Sequence, residues 1–138
     1  MSRLLVIGTG AMGFNHARVC SEMGVLAGVC DLDKKSARTV AEKFGCPWFS
    51  DISEAINETN AEAAIIATPT ISHQKIASEV IERGLNVMVE KPIASSLEEV
   101  DMLIEKSGKR GVVLAVGHVE RYNPVIDEVT PKTILTFI

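Results

Sequence analysis

The chain has 138 residues, a length that fits one ordinary domain with a sizeable core. Hydrophobic residues make up 46% of it and aromatic residues 4%, which suits an α/β protein built mainly of Val, Ile, Leu and Ala. The formal net charge is −4, and acidic and basic residues are interspersed without a long basic run. This charge pattern argues against a nucleic-acid partner and against binding to an anionic membrane.

The sequence shows neither a secretion signal nor a membrane span. Gly8 and the polar residues Asn15, His16 and Arg18 come too early for a signal peptide, and no apolar run approaches the roughly 20 residues that a span needs. The cysteines, Cys20, Cys30 and Cys46, have no C-x-x-C spacing and fall within or beside predicted core elements. We expect reduced, buried thiols and a cytoplasmic protein; a reactive thiol is the alternative.

The first thirty residues have the pattern of a βαβ unit. The apolar residues 4–7 lead into G-x-G-x-x-G at Gly8, Gly10 and Gly13, a helical segment follows, and the apolar residues 25–29 precede Asp31. In such a unit the first glycine allows a tight turn, the second lets a pyrophosphate approach, and the third allows close helix packing. The free N–H groups and the dipole of the helix start then favour phosphate.

Asp31 lies 18 residues after Gly13 (31 − 13 = 18), close to the offset of roughly 20 at which an acid binds the adenosine ribose. A carboxylate there repels a 2′-phosphate, so the pattern favours NAD over NADP, although Lys34 and Lys35 lie close enough to compensate. Asp31 is also a candidate N-cap for the next helix, a role that Asp33 would fill equally well.

Four further helices are predicted, and the first of these spans residues 34–44 and stops at Gly45. A capping box of Asp51 and Glu54 opens a brief second one, and Ser95 and Ser96 with Glu98 and Glu99 offer two overlapping boxes for the last. The apolar stripes of the third and last helices are Ile71, Ile76, Val80 and Ile81, ending at Gly84, and Leu97, Val100, Leu103 and Ile104.

Strands alternate with these helices. The later strand candidates are the edge segment 46–49 and the apolar runs 63–67, 87–89 and 112–116. This alternation predicts a doubly wound, mostly parallel α/β sheet, a Rossmann fold with strand order 3-2-1-4-5-6. Ligands bind beyond the carboxyl ends of such strands, where the glycine turn, Asp31, and the segments 68–73, 90–92 and 117 onward converge.

Lys91 follows an apolar strand directly. Its ammonium is expected at the floor of the cleft, where partial burial and a bound cofactor tune it for proton exchange with a substrate hydroxyl. The alternative is a surface lysine paired with Glu90. Pro92 restricts Lys91 to extended backbone and leaves a cis bond open.

The histidines are too scattered for a metal site. His73 lies either beneath the nicotinamide or as a solvated residue of a first helical turn, and His118 is either a cleft residue or a core imidazole. We assign His16 to a helix surface. The single aromatics Trp48 and Tyr122 are expected to serve packing and not stacking.

Four motifs in order carry a family resemblance: V-I-G-T-G-A-M-G, A-T-P-T, E-K-P-I-A and G-H-V-E-R-Y-N-P. Together they resemble the N-terminal domain of the glucose-fructose oxidoreductase, inositol dehydrogenase and rhizopine-catabolism (Gfo/Idh/MocA) family, up to about Pro124. The resemblance implies an NAD(P)-dependent dehydrogenase acting on an alcohol of a sugar, cyclitol or nucleotide sugar. The last motif is similar to that of members that oxidise UDP-linked N-acetyl sugars at the 3-position.

The resemblance also implies site residues, with Lys91 as the catalytic lysine. The residues expected at the cofactor are Gly8, Thr9, Gly10, Ala11, Met12, Gly13, Asp31, Thr68, Pro69, His73, Glu90 and Lys91. Those expected to face the nicotinamide or substrate are Arg121, Tyr122 and Asn123.

Family members continue into a second α/β domain that covers the nicotinamide and binds substrate. We therefore expect residues 1–124 to form the Rossmann domain, and 125–138 to form a connection and the start of that second domain, with a strand at 133–138. A homo-oligomer is expected. Two alternatives are a non-catalytic NAD-binding sensor and a reductase of the biliverdin or dihydrodipicolinate type, which shares the first motif but is not expected to show E-K-P-I-A together with R-Y-N-P.

Overall fold

A computed structural model describes residues 3–129 of the chain. The strand expected at 133–138 lies outside the described residues. Within residues 3–129 no helix is long and apolar enough to cross a membrane.

Six parallel strands form one sheet. They are β1 (Leu4–Ile7), β2 (Leu26–Cys30), β3 (Trp48–Phe49), β4 (Ala63–Ile66), β5 (Asn86–Val89) and β6 (Leu114–Val116). Their order is β3-β2-β1-β4-β5-β6, which confirms the predicted topology. In the register, Ile7 lies opposite both Cys30 and Ile66, and Val89 lies opposite Ile66 and Val116. The carboxyl ends of β1, β2, β4, β5 and β6 are therefore level, and the residues that follow these strands lie along one edge of the sheet.

Helices connect the strands. They are α1 (Ala11–Glu22), α2 (Lys34–Phe44), α3 (Ile52–Thr59), α4 (Thr70–Glu82), α5 (Leu97–Arg110) and α6 (Pro124–Val129), with a 3₁₀ turn at Val119–Tyr122. Asp33, Asp51 and Ser96 cap α2, α3 and α5 by accepting from backbone N–H groups of the first turn. Asp33 is therefore the cap of α2, which leaves Asp31 for another role.

The core has two parts, one on each face of the sheet. On one face α1 and α2 pack through Ala17, Cys20 and Val40. On the other face α3, α4 and α5 pack against the alternate side chains of the strands, with Val80 and Leu103 fully buried. A residue at the carboxyl edge is therefore reached by helices from both faces.

The stripes predicted for α4 and α5 are partly wrong. Ile71 is 87% exposed, Leu97 78% and Ile104 57%. In α5 the buried residues are Leu103 and Ser107, at i, i+4 spacing, and Leu97 and Ile104 lie outside that narrow face. One layer of helix covers the sheet, so an apolar residue slightly off the contact face stays in solvent.

The thiols agree with the expectation of reduced, buried cysteines. All three are free; Cys20 and Cys30 are buried and Cys46 is half-buried. Burial raises the pKa of the Cys20 thiol, and raises those of Cys30 to about 12 and Cys46 to about 11. Such thiols stay protonated at neutral pH, which favours inert packing over the alternative of a reactive thiol.

Candidate dinucleotide site

Two glycines of the turn after β1 are required by the fold itself. Gly8 has φ +92°, and a Cβ there would lie 2.7 Å from the backbone of Ala67. A Cβ on Gly13 would lie 1.8 Å from the carbonyl oxygen of Gly8, which shows how closely α1 approaches the turn. No larger residue fits either position without backbone movement.

Gly10 differs from its two neighbours in the motif. A Cβ on Gly10 would meet no atom of residues 3–129 within 4 Å, so no contact in this part of the chain requires its small size. It is the N-cap of α1 and supplies no side-chain cap, and the first turn of α1 carries no acidic residue. The positive end of the helix is thus left open beside free space, which fits a phosphate group.

Asp31 is held in one orientation by its neighbours. Its Oδ2 accepts from the backbone N of Thr9 at 2.7 Å and from Thr9 Oγ1 at 2.8 Å, and its Oδ1 accepts from the backbone N of Asp33 at 2.9 Å. Ser36 Oγ lies 2.7 Å from Thr9 Oγ1 and extends the network to α2. The carboxylate is therefore fixed at the end of β2 before any ligand arrives.

A cleft of about 930 Å³ runs along this edge. Seven of the predicted cofactor residues line it: Gly8, Gly10, Ala11, Met12, Asp31, Thr68 and Pro69. The other five do not line it: Thr9, Gly13, His73, Glu90 and Lys91. Thr9 and Gly13 belong to the glycine-rich segment itself. His73, Glu90 and Lys91 lie near or after the end of β5.

Sequence reasoning missed part of the lining. One face of α4 contributes Ser72, Lys75, Ile76 and Glu79, and further lining comes from Leu32, Ser36, Ser50, Asp51 and Ile52. The α4 residues follow helical spacing and directly succeed the A-T-P-T loop, which was the signal available. Acidic side chains outnumber basic ones in the cleft. Their negative charge disfavours the 2′-phosphate that distinguishes NADP from NAD.

His73 is not a solvated residue of the first helical turn, which is one of the two alternatives that the sequence left open. It is 1% exposed, with Nδ1 2.9 Å from the carbonyl oxygen of Pro92 and Nε2 2.8 Å from that of Thr68. The neutral ring donates one hydrogen bond and the imidazolium donates two. His73 thus joins the loop after β4 to the turn after β5 from beneath the cleft.

Lys91 is neither the partly buried lysine nor the Glu90-paired surface lysine that the sequence suggested. It is exposed and not partly buried, and the Lys91–Pro92 peptide bond is cis. Glu90 is 5% exposed and does not pair with the Lys91 ammonium: its Oε2 accepts from the Lys91 backbone N at 3.2 Å. Lys91 therefore has an exposed side chain at the carboxyl edge, without an ion-pair partner in the part of the chain that the structure describes, and Glu90 holds its backbone.

His16 does not lie on a free helix surface, so that assignment is wrong. Its side chain is 15% exposed, and Nε2 lies 2.7 Å from Oε1 of Glu90. The two residues are 74 apart in the chain, so folding brings the first half of α1 next to the residue that follows β5. A carboxylate only accepts, so the ring donates from Nε2.

The segment after β6 is exposed. His118 is exposed, which excludes a core imidazole, and Arg121 is exposed while Asn123 is half-buried. Tyr122 is 85% exposed, so the packing role expected for it does not hold within residues 3–129. Trp48 is 39% exposed and keeps more of its surface covered. No cluster of three or more metal-ligating side chains occurs in the described part of the chain.

Comparison with known proteins agrees with this geometry. The family described as "Oxidoreductase family, NAD-binding Rossmann fold" (Gfo/Idh/MocA) matches residues 2–118. A UDP-N-acetylglucosamine 3-dehydrogenase of Acidithiobacillus ferrooxidans is 36% identical over 121 residues, covering 88% of this chain and 38% of that protein. Its crystal structure superposes with a TM-score of 0.87 at 35% identity, covering 92% of this chain and 40% of that one.

Two further relatives carry the same fold. The scyllo-inositol 2-dehydrogenase (NAD⁺) of Bacillus subtilis is 36% identical over 126 residues, covering 88% of this chain and 37% of that protein. The WlbA dehydrogenase of Bordetella pertussis, crystallised with NADH and UDP-GlcNAcA, has a TM-score of 0.86 at 28% identity, covering 92% of this chain and 40% of that one. This chain thus spans about 40% of the length of these relatives. It belongs to the Gfo/Idh/MocA oxidoreductase family, and residues 2–118 match the family's NAD-binding Rossmann fold.

Proposed function

We propose that this chain is the cofactor-binding part of an NAD-dependent dehydrogenase that oxidises a hydroxyl group of a sugar, nucleotide sugar or cyclitol. The observation that carries the proposal is the level carboxyl edge of the sheet. It places the glycine turn after β1 and the Lys91 turn after β5 on the same side, two strands apart. The names of the relatives supply the substrate classes.

Bound NAD⁺ supplies the hydride acceptor. The open start of α1 at Gly10 binds the pyrophosphate, and Asp31, already oriented by Thr9 and Asp33, accepts from the adenosine ribose hydroxyls. Thr68 and Pro69 line the cleft farther along the edge. Lys91, in its neutral amine form, would take the proton of the substrate hydroxyl at Nζ, while the hydride on the same carbon would pass to the nicotinamide.

The substrate side of the site includes the exposed segment after β6. Arg121, Tyr122 and Asn123 supply a cation, a phenol and an amide suited to the phosphates and hydroxyls of a nucleotide sugar. Residues 1–124 form the cofactor domain in this proposal, and 125–138 form its connection to the substrate domain.

The environment of the protein is also proposed. Free thiols with raised pKa values suit the cytoplasm, and a net charge of −4 without a basic run suits a protein that binds neither nucleic acid nor membrane. The protein is proposed to be a homo-oligomer, whose size can be measured directly. The three relatives are dehydrogenases, which favours catalysis over a sensor role.

The test replaces Lys91 with Met in the natural protein that carries this sequence. Turnover of UDP-N-acetylglucosamine and scyllo-inositol is followed by NADH formation, and Kd for NAD⁺ by calorimetry. Turnover of the accepted substrate is expected to fall at least about 100-fold while Kd stays within about threefold, because the side chain acts in proton transfer. Lys109→Met, an exposed change on α5, is the matched control. Near-normal turnover of Lys91→Met would contradict the assignment.

A further inference from the structure

We propose that His16 is a positioning residue: through the buried carboxylate of Glu90, it holds the Lys91 turn in place against the phosphate-binding helix α1. This inference rests on the proposed function, because it explains how Lys91 is kept in place. It begins from the 2.7 Å contact between His16 Nε2 and Glu90 Oε1. His16 lies one helical turn after Gly13, so the contact joins the helix at the glycine turn directly to the end of β5.

Glu90 is enclosed on three sides. His16 donates to one carboxylate oxygen and the Lys91 backbone N to the other. The third side is Gly117, where a Cβ would lie 3.0 Å from Oε1 and 3.2 Å from Oε2. Gly117 follows β6, and its backbone N donates to the carbonyl oxygen of Val89. The carboxylate therefore occupies a fitted space formed by α1 and the ends of β5 and β6.

A carboxylate that is 5% exposed needs hydrogen-bond donors, because burial without them carries a large desolvation penalty. Among the side chains of residues 3–126, only that of His16 donates to it. Removing the imidazole leaves the carboxylate with the single amide donor of Lys91. We expect Glu90 then to turn toward water and release its bond to Lys91, which loosens the turn.

His73 completes the arrangement from the opposite face of the sheet. Its Nδ1 lies 2.9 Å from the carbonyl oxygen of Pro92, whereas His16 reaches the turn from α1 on the other face. The Lys91 ammonium is exposed and has no ion-pair partner in the described residues. The backbone of residues 90–92, held between two histidines, therefore fixes the point from which the Lys91 side chain extends.

The test measures binding of NADH and of ADP-ribose to the full 138-residue chain by calorimetry. ADP-ribose reports on the glycine turn and Asp31. NADH adds the nicotinamide end, beside which the family resemblance puts the backbone turn at Glu90 and Lys91. In His16→Ala, NADH affinity is expected to fall about tenfold, the effect of one hydrogen bond to a charged group, with ADP-ribose affinity within about twofold. His16→Gln, whose amide nitrogen reaches about as far as Nε2, is expected to restore most of the difference.

Two control variants separate positioning from stability. Arg18→Ala removes an exposed partner of Glu22 on the same helix and is expected to change neither affinity. Val40→Ala weakens the core on the face that α1 covers and is expected to lower Tm without changing the NADH to ADP-ribose affinity ratio. The backbone amide resonance of Lys91 in the ligand-free chain is expected to shift in His16→Ala and to return toward the wild-type position in His16→Gln.

Three results would overturn the inference. An equal loss of NADH and ADP-ribose affinity in His16→Ala would show a general effect on the fold. Unchanged affinities with an unchanged Lys91 amide resonance would show that Glu90 holds the turn without His16. If the wild-type chain bound ADP-ribose but not NADH, or bound neither, the proposed function would fail first, and the role of His16 with it.

Discussion

At the scale of single residues, Asp31 shows how a side chain is prepared before its ligand arrives. Three donors occupy its oxygens, two from Thr9 and one from Asp33, so the carboxylate stays ordered at the end of β2. The energetic cost of ordering it is met by folding and not by binding. The same carboxylate provides the charge that disfavours a 2′-phosphate.

Asp31→Asn is expected to lower the NADH to NADPH affinity ratio by at least about tenfold. The amide keeps the shape but loses the charge, and its NH₂ group would face the donor groups of Thr9 or Asp33. Calorimetric titration of the chain with each cofactor measures the ratio. Asp101→Asn, an exposed charge loss on α5, is the control. An unchanged ratio would show that Asp31 does not select the cofactor.

A pH-dependent stability is expected from Cys30. Burial, and then the nearby Asp31 carboxylate, raise the pKa of its thiol from 9.0 to about 12. The folded chain therefore keeps a proton that the unfolded chain loses above pH 9. This contribution to stability is complete below pH 9 and is lost as the pH rises toward 12, by up to about 1.4 kcal/mol per pH unit.

Urea unfolding between about pH 8 and pH 11 measures this effect. Cys30→Ala is expected to show a shallower fall in unfolding free energy with pH than the parent chain, since the variant has lost the buried thiol. Parallel curves would mean that the Cys30 thiol titrates similarly in the folded and unfolded chains. Comparing slopes separates this effect from the cost of the smaller side chain.

At the scale of elements, the turn between β1 and α1 serves both folding and binding. Gly8 and Gly13 contact each other across the turn, whereas Gly10 faces open space beside the start of α1. One six-residue motif therefore contains glycines of two kinds: Gly8 and Gly13 are required by the turn and by close helix packing, as the motif predicts, and Gly10 is left beside open space.

Gly13→Ala and Gly10→Ala are expected to separate these roles. The Cβ of Gly13→Ala lies 1.8 Å from the Gly8 carbonyl oxygen before relaxation, so the free energy of unfolding is expected to fall by about 3 kcal/mol. Gly10→Ala is expected to cost about 1 kcal/mol or less, yet to weaken NADH binding about tenfold by crowding the pyrophosphate. Urea unfolding and calorimetry measure the two quantities. Equal stability losses in the two variants would contradict this division.

At the scale of the whole molecule, the cleft is formed by elements from both halves of the sheet, including the ends of β1, β2 and β4 and one face of α4. A ligand that spans it joins parts of the chain that separate on unfolding. Such a ligand stabilises the folded chain according to its concentration relative to Kd.

NADH at about 100 times its Kd is expected to add about 2.7 kcal/mol of stability, or about 10 °C in Tm for a chain of this length. NADPH at the same concentration is expected to shift Tm much less, because the cleft is acidic around Asp31. Thermal unfolding followed by circular dichroism measures both shifts. Equal shifts with the two cofactors would contradict the proposed preference for NAD.

The sequence alone determined the class of fold, the strand order, the bounds of α2, the capped starts of α3 and α5, and the family. Each of these depends on short-range patterns: the apolar runs of strands, caps such as Asp51 and Ser96, and glycines at fixed spacing. Local backbone preference and periodic hydrophobicity act within about one element, so they can be read without knowing which elements meet.

Only the tertiary structure decided which residues meet at the carboxyl edge. It placed His16 on Glu90 across 74 residues, buried His73 between two loops, and left Lys91, Ile71 and Leu97 exposed. These outcomes depend on strand register and on the rotation of each helix against the sheet, which follow from packing of the whole chain. Periodicity shows that a helix has an apolar face, but the packing partner decides which residue at the margin of that face is covered.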